Sequence, residues 1–451
     1  MPKRLINKIK SIVKASRAPK RLKAVIIHAD KHSFDPNSAS PGAIKVVNTL
    51  TDAGYEAYLV GGCVRDGLLG LTPKDFDVST NAHPEEIKAL FNRNCRLIGR
   101  RFRLAHIRFG REVIEVATFR GHHSTSSDKQ QSSTSDHGML LRDNVFGSLD
   151  EDAIRRDFTA NALYYRPKDN AIIDYVNGFE DIKNRHLRII GDPKVRYQED
   201  PVRMIRAIRF SAKLGFQLSP ESEAPIKEQS ELLGLIPAAR LFDEVQKLFM
   251  AGVAVTVWER LLHYDLAQWL FPLSVPNKNL HPGANAMITQ AMINTDERIA
   301  SGKSVTPAFF YAVMLWGPLQ VNWHQLQKDG IPPVPALQQA AQRVLQQQAQ
   351  RTTIPKRFVA TIREIWELQP RLTRRHIKRA QQLIEHPRFR AAYDLLLLRE
   401  AAGESDTNLG EWWTEFQHAD ATTQQALAAD HSQPKKKRRP RRRRPAKSQP
   451  Q

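Results

Sequence analysis

From Ser40 onward the apolar residues switch repeatedly between a helical and a strand-like period. A helix is expected from Pro41, capped by Ser40, through AIKVVNTLTDA to Gly54. YEAYLV (55–60) reads as a strand, Gly61-Gly62 as a turn, and VRDGLLG as a short helix closed by Gly70. KDFDVST (74–80) alternates as a strand, and Pro84 opens the helix PEEIKALF. CRLIG (95–99), RFRLAHIRF (101–109) and EVIEVATF (112–119) are strands, the last two joined around Gly110. Residues 121–149 are rich in Ser, Thr, Asp and Gln and read as a mobile surface loop or insertion. Helical periodicity returns in EDAIRRDFTANALYY (151–165), then a strand pair near AIIDYV (171–176), a turn at Gly178 and a helix toward Arg188. Beyond Asp200 the chain is expected to be mostly helical to about residue 420. This order predicts an α+β fold, with a small mixed sheet in a head followed by an all-helical region.

Composition changes that picture mainly at the ends. The 451 residues suffice for two or three buried cores. Only Cys63 and Cys95 are present, outside any CxxC pair, which argues against disulfide and zinc frameworks and for a reducing, cytoplasmic setting. No apolar run is long enough to predict a transmembrane helix. The formal net charge of +21 is concentrated in residues 1–23 and 435–447, which carry nine and ten Lys or Arg and no acids. The rest of the chain is nearly neutral. Residues 1–40 therefore read as a basic N-terminal arm and 426–451 as a disordered Arg/Lys-rich tail. Such ends attract polyanions, nucleic acid above all, and KKKRRPRRRR is also compatible with nuclear import.

Candidate chemistry lies in four blocks. Asp75 and Asp77 are two apart on an expected strand, so both carboxylates share one face, an oxygen-rich arrangement suited to Mg²⁺. A lone DxD more often marks a solvated strand end. Here Gly61-Gly62, which lets backbone N–H groups approach a phosphate, and the Arg65-Asp66 pair precede it. Glu115 and Arg120, in EVATFR, are expected beside that strand, as a third carboxylate or a solvated position and as a phosphate or base contact. In the expected helix of DEDAIRRDFTANAL, Asp150, Ala153, Asp157 and Asn161 fall on one side, and Asp152, Arg155, Arg156 and Thr159 on the neighbouring arc. That helix is denser in polar groups than a salt-bridged surface helix needs. In EDPVRMIRAIRF, Asp200 can accept from an exocyclic amine and Arg203 can donate to the adjacent ring nitrogen. The pair selects A or C against G or U but does not separate A from C.

GGCVRD, DFD, EVATFR, DAIRRDFTANALYY and EDPVRMIRAIRF, in this order over roughly residues 40–215, resemble the bacterial poly(A) polymerase and CCA-adding enzyme superfamily of nucleotidyltransferases. LIGRRFRLAHIRFG, GMLLRDNVFGS, IPKRF, EHPRFRAAYDLL and the Arg-rich tail are similar to the poly(A) polymerase branch. The resemblance implies a polymerase β-like head (41–190), a helical neck that recognises the base (191–260) and a helical, RNA-binding body and leg (261–425). It implies ATP as donor, two Mg²⁺ ions and an RNA 3′ hydroxyl as acceptor, in the service of RNA processing and decay. Asp75 and Asp77 would hold the metals, and Asp157 would be the third catalytic acid, with Glu115 competing for that place. Gly61, Gly62, Arg65, Asp66, Arg120, Arg155, Arg156, Asn161, Asp200 and Arg203 would form the nucleotide site. The expected protein is a monomer, with RNA-decay factors as candidate partners. A CCA-adding activity and a non-catalytic RNA-binding protein are the competing readings; the chain contains no His-Asp dipeptide of the HD phosphohydrolase kind.

Overall fold

In the computed structural model, the described residues are 22–99, 103–121, 132–134, 140–143, 145–404 and 408–430. The first part of the basic arm and the tail from 431 lie outside them. The chain divides into two compact units, Met1–Leu270 and Phe271–Gln451.

The first unit is built on an eight-stranded sheet. Its strands are β1 (Val25–Ile27), β2 (Ala57–Val60), β3 (Asp77–Thr80), β4 (Cys95–Ile98), β5 (Leu104–Phe109), β6 (Glu112–Thr118), β9 (Leu163–Arg166) and β10 (Ala171–Asp174). β7 (Ser132–Thr134) and β8 (Leu140–Asp143) pair separately, inside the segment expected to be a loop. The order is β1-β10-β9-β2-β3-β6-β5-β4, and every neighbouring pair is antiparallel except β3 with β6. That parallel pair needs a crossover, which the chain makes through α3 (Pro84–Phe91), β4 and β5. α1 (Pro41–Asp52) packs on β2, β3 and β6, burying Val46, Val47 and Leu50. Val78, Ile114 and Val116 are buried as well, so by alternation Asp77, Ser79 and Glu115 belong to the other face.

Ser40 caps α1 through its Oγ, which accepts from the Ala43 N–H at 3.0 Å, as expected. The basic-arm expectation fails for its second half. β1 is an edge strand paired to β10, and Phe34 is buried with its ring 4.3 Å from that of Tyr165. Sparse hydrophobic residues in a basic context concealed a three-residue strand.

The expected helix over 151–165 is also corrected. α4 (Leu149–Arg155), opened by a Ser148–Glu151 capping box, stops because Arg156 turns extended, with φ −61° and ψ 167°. Phe158 then bridges Ile189, and the Thr159 N–H donates to the Arg188 carbonyl at 2.9 Å. Residues Thr159–Asn161 form a 3-10 turn before β9. Tyr164 and Tyr165 are buried in mid-sheet, where tertiary packing overrides the local helical period.

Helices complete this unit: α2 (Gly62–Leu68), α5 (Gly178–Lys183), α6 (Pro193–Glu199), α7 (Val202–Leu214), α8 (Pro220–Glu228), α9 (Ala238–Phe249), α10 (Ala254–His263) and α11 (Ala267–Leu270). α5 stops short of Arg188, giving way to the two-residue β11 (His186–Leu187), which pairs in parallel with β12 (Gln217–Leu218). The second unit is helical among its described residues. Trp413, Phe416, Phe389 and Leu372 form part of its core, and the Trp413 Nε1 donates to the Leu372 carbonyl at 3.0 Å.

Candidate active site

β3 begins at Asp77, so Asp75 stands just ahead of the strand. The alternation nevertheless holds: Phe76 and Val78 are buried, while Asp75 is exposed and Asp77, although accessible to solvent, lines the wall of a partly enclosed cavity. Parallel pairing puts Glu115 directly beside Asp77, and antiparallel pairing puts His106 beside Glu115, with Nε2 and Oε1 3.1 Å apart. Burial at the cavity wall and the Glu115 charge, opposed by Arg156 and helped by Asp75, push the Asp77 carboxyl up to about 6.

Asp77, Ser79 and Glu115 line a cavity of about 440 Å³ together with Arg120, Asp152, Arg155, Arg156 and Arg206. A cavity of about 690 Å³ elsewhere in the unit is lined by Leu22, Tyr58, Phe119 and Tyr175 among others and lacks this concentration of charge. The smaller cavity is therefore the candidate site. Its arginines crowd one another. Burial, with Arg120, Arg196 and Arg203 nearby, lowers Arg155 to about 9, and burial lowers Arg120 too, Asp152 opposing and Arg156 assisting. A polyanion would relieve that crowding. The Asp75, Asp77 and Glu115 oxygens suit a hard divalent cation, which would relieve the raised Asp77. Among the described residues no group of three or more His, Cys, Asp or Glu is placed to hold a metal ion by itself.

The other expected site residues, Asp75 among them, are not part of the cavity lining. Gly61 takes φ +80°, strained for any L side chain, and a Cβ there would lie 3.5 Å from the Arg156 Nη1. Gly62 follows as the first residue of α2. Arg65, expected at a phosphate, is instead buried; its Nε donates to Asp66 at 2.8 Å and its Nη1 to the Asn161 Oδ1 at 2.5 Å. Asn161 in turn donates to Asp157 at 3.1 Å. The Asp157 carboxylate also accepts from the Arg206 Nε and Nη2 at 2.8 and 2.5 Å. Burial opposes its ionisation, but Arg206 and Asn161 hold it well below the usual carboxylate range. Asp200 is forked by Arg240 of α9, at 2.9 and 2.7 Å, and Arg203 donates to Glu199 at 3.0 Å and to the Arg196 carbonyl at 2.7 Å.

Asp152, Ser79, His106 and Arg206 received no role from the sequence. Ser79, two residues beyond Asp77 on the same strand face, was within reach of the alternation argument.

The model for the "Poly A polymerase head domain" matches residues 57–188. The "Probable RNA and SrmB-binding site of polymerase A" matches 215–275, and the "Polymerase A arginine-rich C-terminus" 329–447. Poly(A) polymerase I of Salmonella typhimurium is 48% identical over 443 residues, covering 96% of this chain and 95% of that protein. The Haemophilus influenzae poly(A) polymerase I is 46% identical over 443 residues, covering 96% and 98%. A CCA-adding enzyme of Lactobacillus helveticus is 42% identical, but over 206 residues, 46% of this chain and 49% of that one. The Bacillus stearothermophilus CCA-adding enzyme in complex with CTP shares the fold, with a TM-score of 0.57 at 24% identity over 87% of this chain and 83% of that one. With near-full-length identity to the polymerases and only half-length identity to the CCA-adding enzyme, the chain belongs to the poly(A) polymerase I family.

Proposed function

We propose that this protein transfers AMP from ATP to RNA 3′ ends without a template, in the cavity where Asp77 and Glu115 meet Arg120, Arg155 and Arg156. That meeting of a carboxylate face with crowded guanidiniums in one cavity carries the reading. The arginines provide the positive field for a triphosphate, and the Gly61-Gly62 turn permits close backbone approach. Two Mg²⁺ ions held by Asp75, Asp77 and Glu115 would lower the pKa of the RNA hydroxyl and offset charge on the departing pyrophosphate.

The hydroxyl attacks the α-phosphorus in line, the new phosphodiester forms, and the bond to pyrophosphate breaks. The protein contributes chiefly position and electrostatics. We assign the third carboxylate to Glu115 rather than Asp157. Glu115 is the register partner of Asp77, whereas Asp157 is engaged by Arg206 and Asn161. Asp200 and Arg203 read the base edge, with Arg240 and Glu199 orienting them. The helical region and the basic ends hold RNA. The same reading includes a cytoplasmic monomer that meets RNA-decay factors; among the described residues no helix is long and apolar enough to cross a membrane.

The test supplies Mg²⁺, an unstructured RNA and each nucleoside triphosphate in turn. Long tails with ATP alone are expected. Arrest after a few C and A additions to a tRNA end, or no extension, would overturn the proposal.

A further inference from the structure

We propose that Asp152 is a positioning residue for ATP, fixing the guanidinium of Arg156 at the wall of the nucleotide cavity; this rests on the reading of that cavity as the ATP site. Asp152 is only 6% exposed. It lies on α4 one turn before Arg156, whose Nε and Nη2 donate to its Oδ2 at 3.3 and 3.1 Å. The Tyr164 hydroxyl donates to the same oxygen at 2.8 Å, and the Ser79 Oγ stands 3.4 Å from it. The other oxygen accepts the Arg120 backbone N–H at 3.3 Å. One carboxylate thus joins β3, the end of β6, the end of α4 and β9.

Arg156 is held at two further points, donating from Nε to the Tyr164 oxygen at 3.1 Å and from Nη2 to Ser79 at 3.0 Å. These bonds use Nε and Nη2 and leave Nη1 beside the Gly61-Gly62 turn, on the side where phosphates are expected. A buried ion pair is a poor source of stability, because desolvation offsets the Coulombic gain. What the network does supply is a fixed plane for the guanidinium, and a planar fork recognises phosphate oxygens only when its orientation is set. The two tethered arginines, Arg120 and Arg156, are neighbours in the cavity. Ser79 links the same network to the strand that carries Asp77.

Two variants test this in the full-length enzyme: Asp152→Asn, which keeps the shape and removes the charge, and Tyr164→Phe, which removes one hydroxyl from the network. For Asp152→Asn the KM for ATP is expected to rise about tenfold and for Tyr164→Phe about threefold, with the KM for RNA within twofold of the parent. Adding Asp152→Asn to Arg156→Ala is expected to change the ATP KM no further, because both act through one group. If Asp152→Asn fails to fold, Tyr164→Phe decides. An unchanged ATP KM in Tyr164→Phe, or equal rises in the ATP and RNA KM values, overturns the proposal. A parent enzyme that does not extend RNA with ATP instead overturns the assignment of the cavity.

Discussion

Asp77 is held in a conflict that the protein alone does not resolve. Burial and Glu115 raise its carboxyl to about 6. An unfolded aspartate titrates lower, so in the metal-free protein the ionised form opposes folding above about 6, and the opposition fades as pH falls toward the unfolded value. Asp77→Asn is therefore expected to raise the melting temperature of the metal-free protein at pH 7.5, and the gain to shrink steadily between pH 6 and pH 4. A variant that melts below the parent at pH 7.5 would contradict the electrostatic account. The alternation around Asp75 and Asp77 was legible in the sequence because it is a local rule, although the regular strand begins only at Asp77 and Asp75 is not part of the cavity lining. The fate of Arg65 was not legible. Its partner Asn161 is 96 residues away, and no local pattern reports a buried hydrogen bond over that separation.

At the scale of elements, the parallel β3–β6 pair decides which carboxylates can act together. It sets Glu115 next to Asp77, while the break after α4 sends Asp157 toward Arg206 on α7. The sequence held both acids as candidates because neither the partner of β3 nor the end of that helix is written locally. The two should separate by experiment. Glu115→Gln is expected to lower kcat at least a hundredfold, roughly 3 kcal/mol of barrier, with little change in melting temperature. Asp157→Asn, which removes the charge that half-buried Arg206 and Asn161 engage, is expected to cost about 2 kcal/mol of folding stability. Denaturant melts and single-turnover extension measure the two effects, and the opposite assignment of effects would return Asp157 to the metal site. Most strands and helices were legible from periodicity. The exceptions include β1, the β7–β8 pair, β9 and the β11–β12 pair, where very short strands or buried aromatic residues concealed the pattern.

At the scale of the molecule, identity near 48% along 96% of the chain sets it with poly(A) polymerases, whereas the CCA-adding enzyme matches about half. The five blocks of the superfamily resemblance fall within roughly residues 40–215, while IPKRF, EHPRFRAAYDLL and the Arg-rich tail lie beyond them. The +21 charge is likewise uneven, with ten cations in residues 435–447. RNA affinity should fall steeply with salt while the ATP KM moves little, and deleting residues 435–447 should flatten the RNA dependence, because fewer counterions are released. Equal salt slopes for the full-length and truncated enzymes would remove the tail from RNA binding. The central claim is that the carboxylates of Asp75 and Asp77, at and just ahead of the start of β3, make the chemical step possible while other parts hold RNA. The most direct measurement compares the Asp75→Ala, Asp77→Ala double variant with the parent for ATP-dependent extension and for RNA binding. The account predicts extension reduced at least a thousandfold, roughly 4 kcal/mol, with the RNA Kd within about twofold; sustained tail synthesis by the double variant would contradict it.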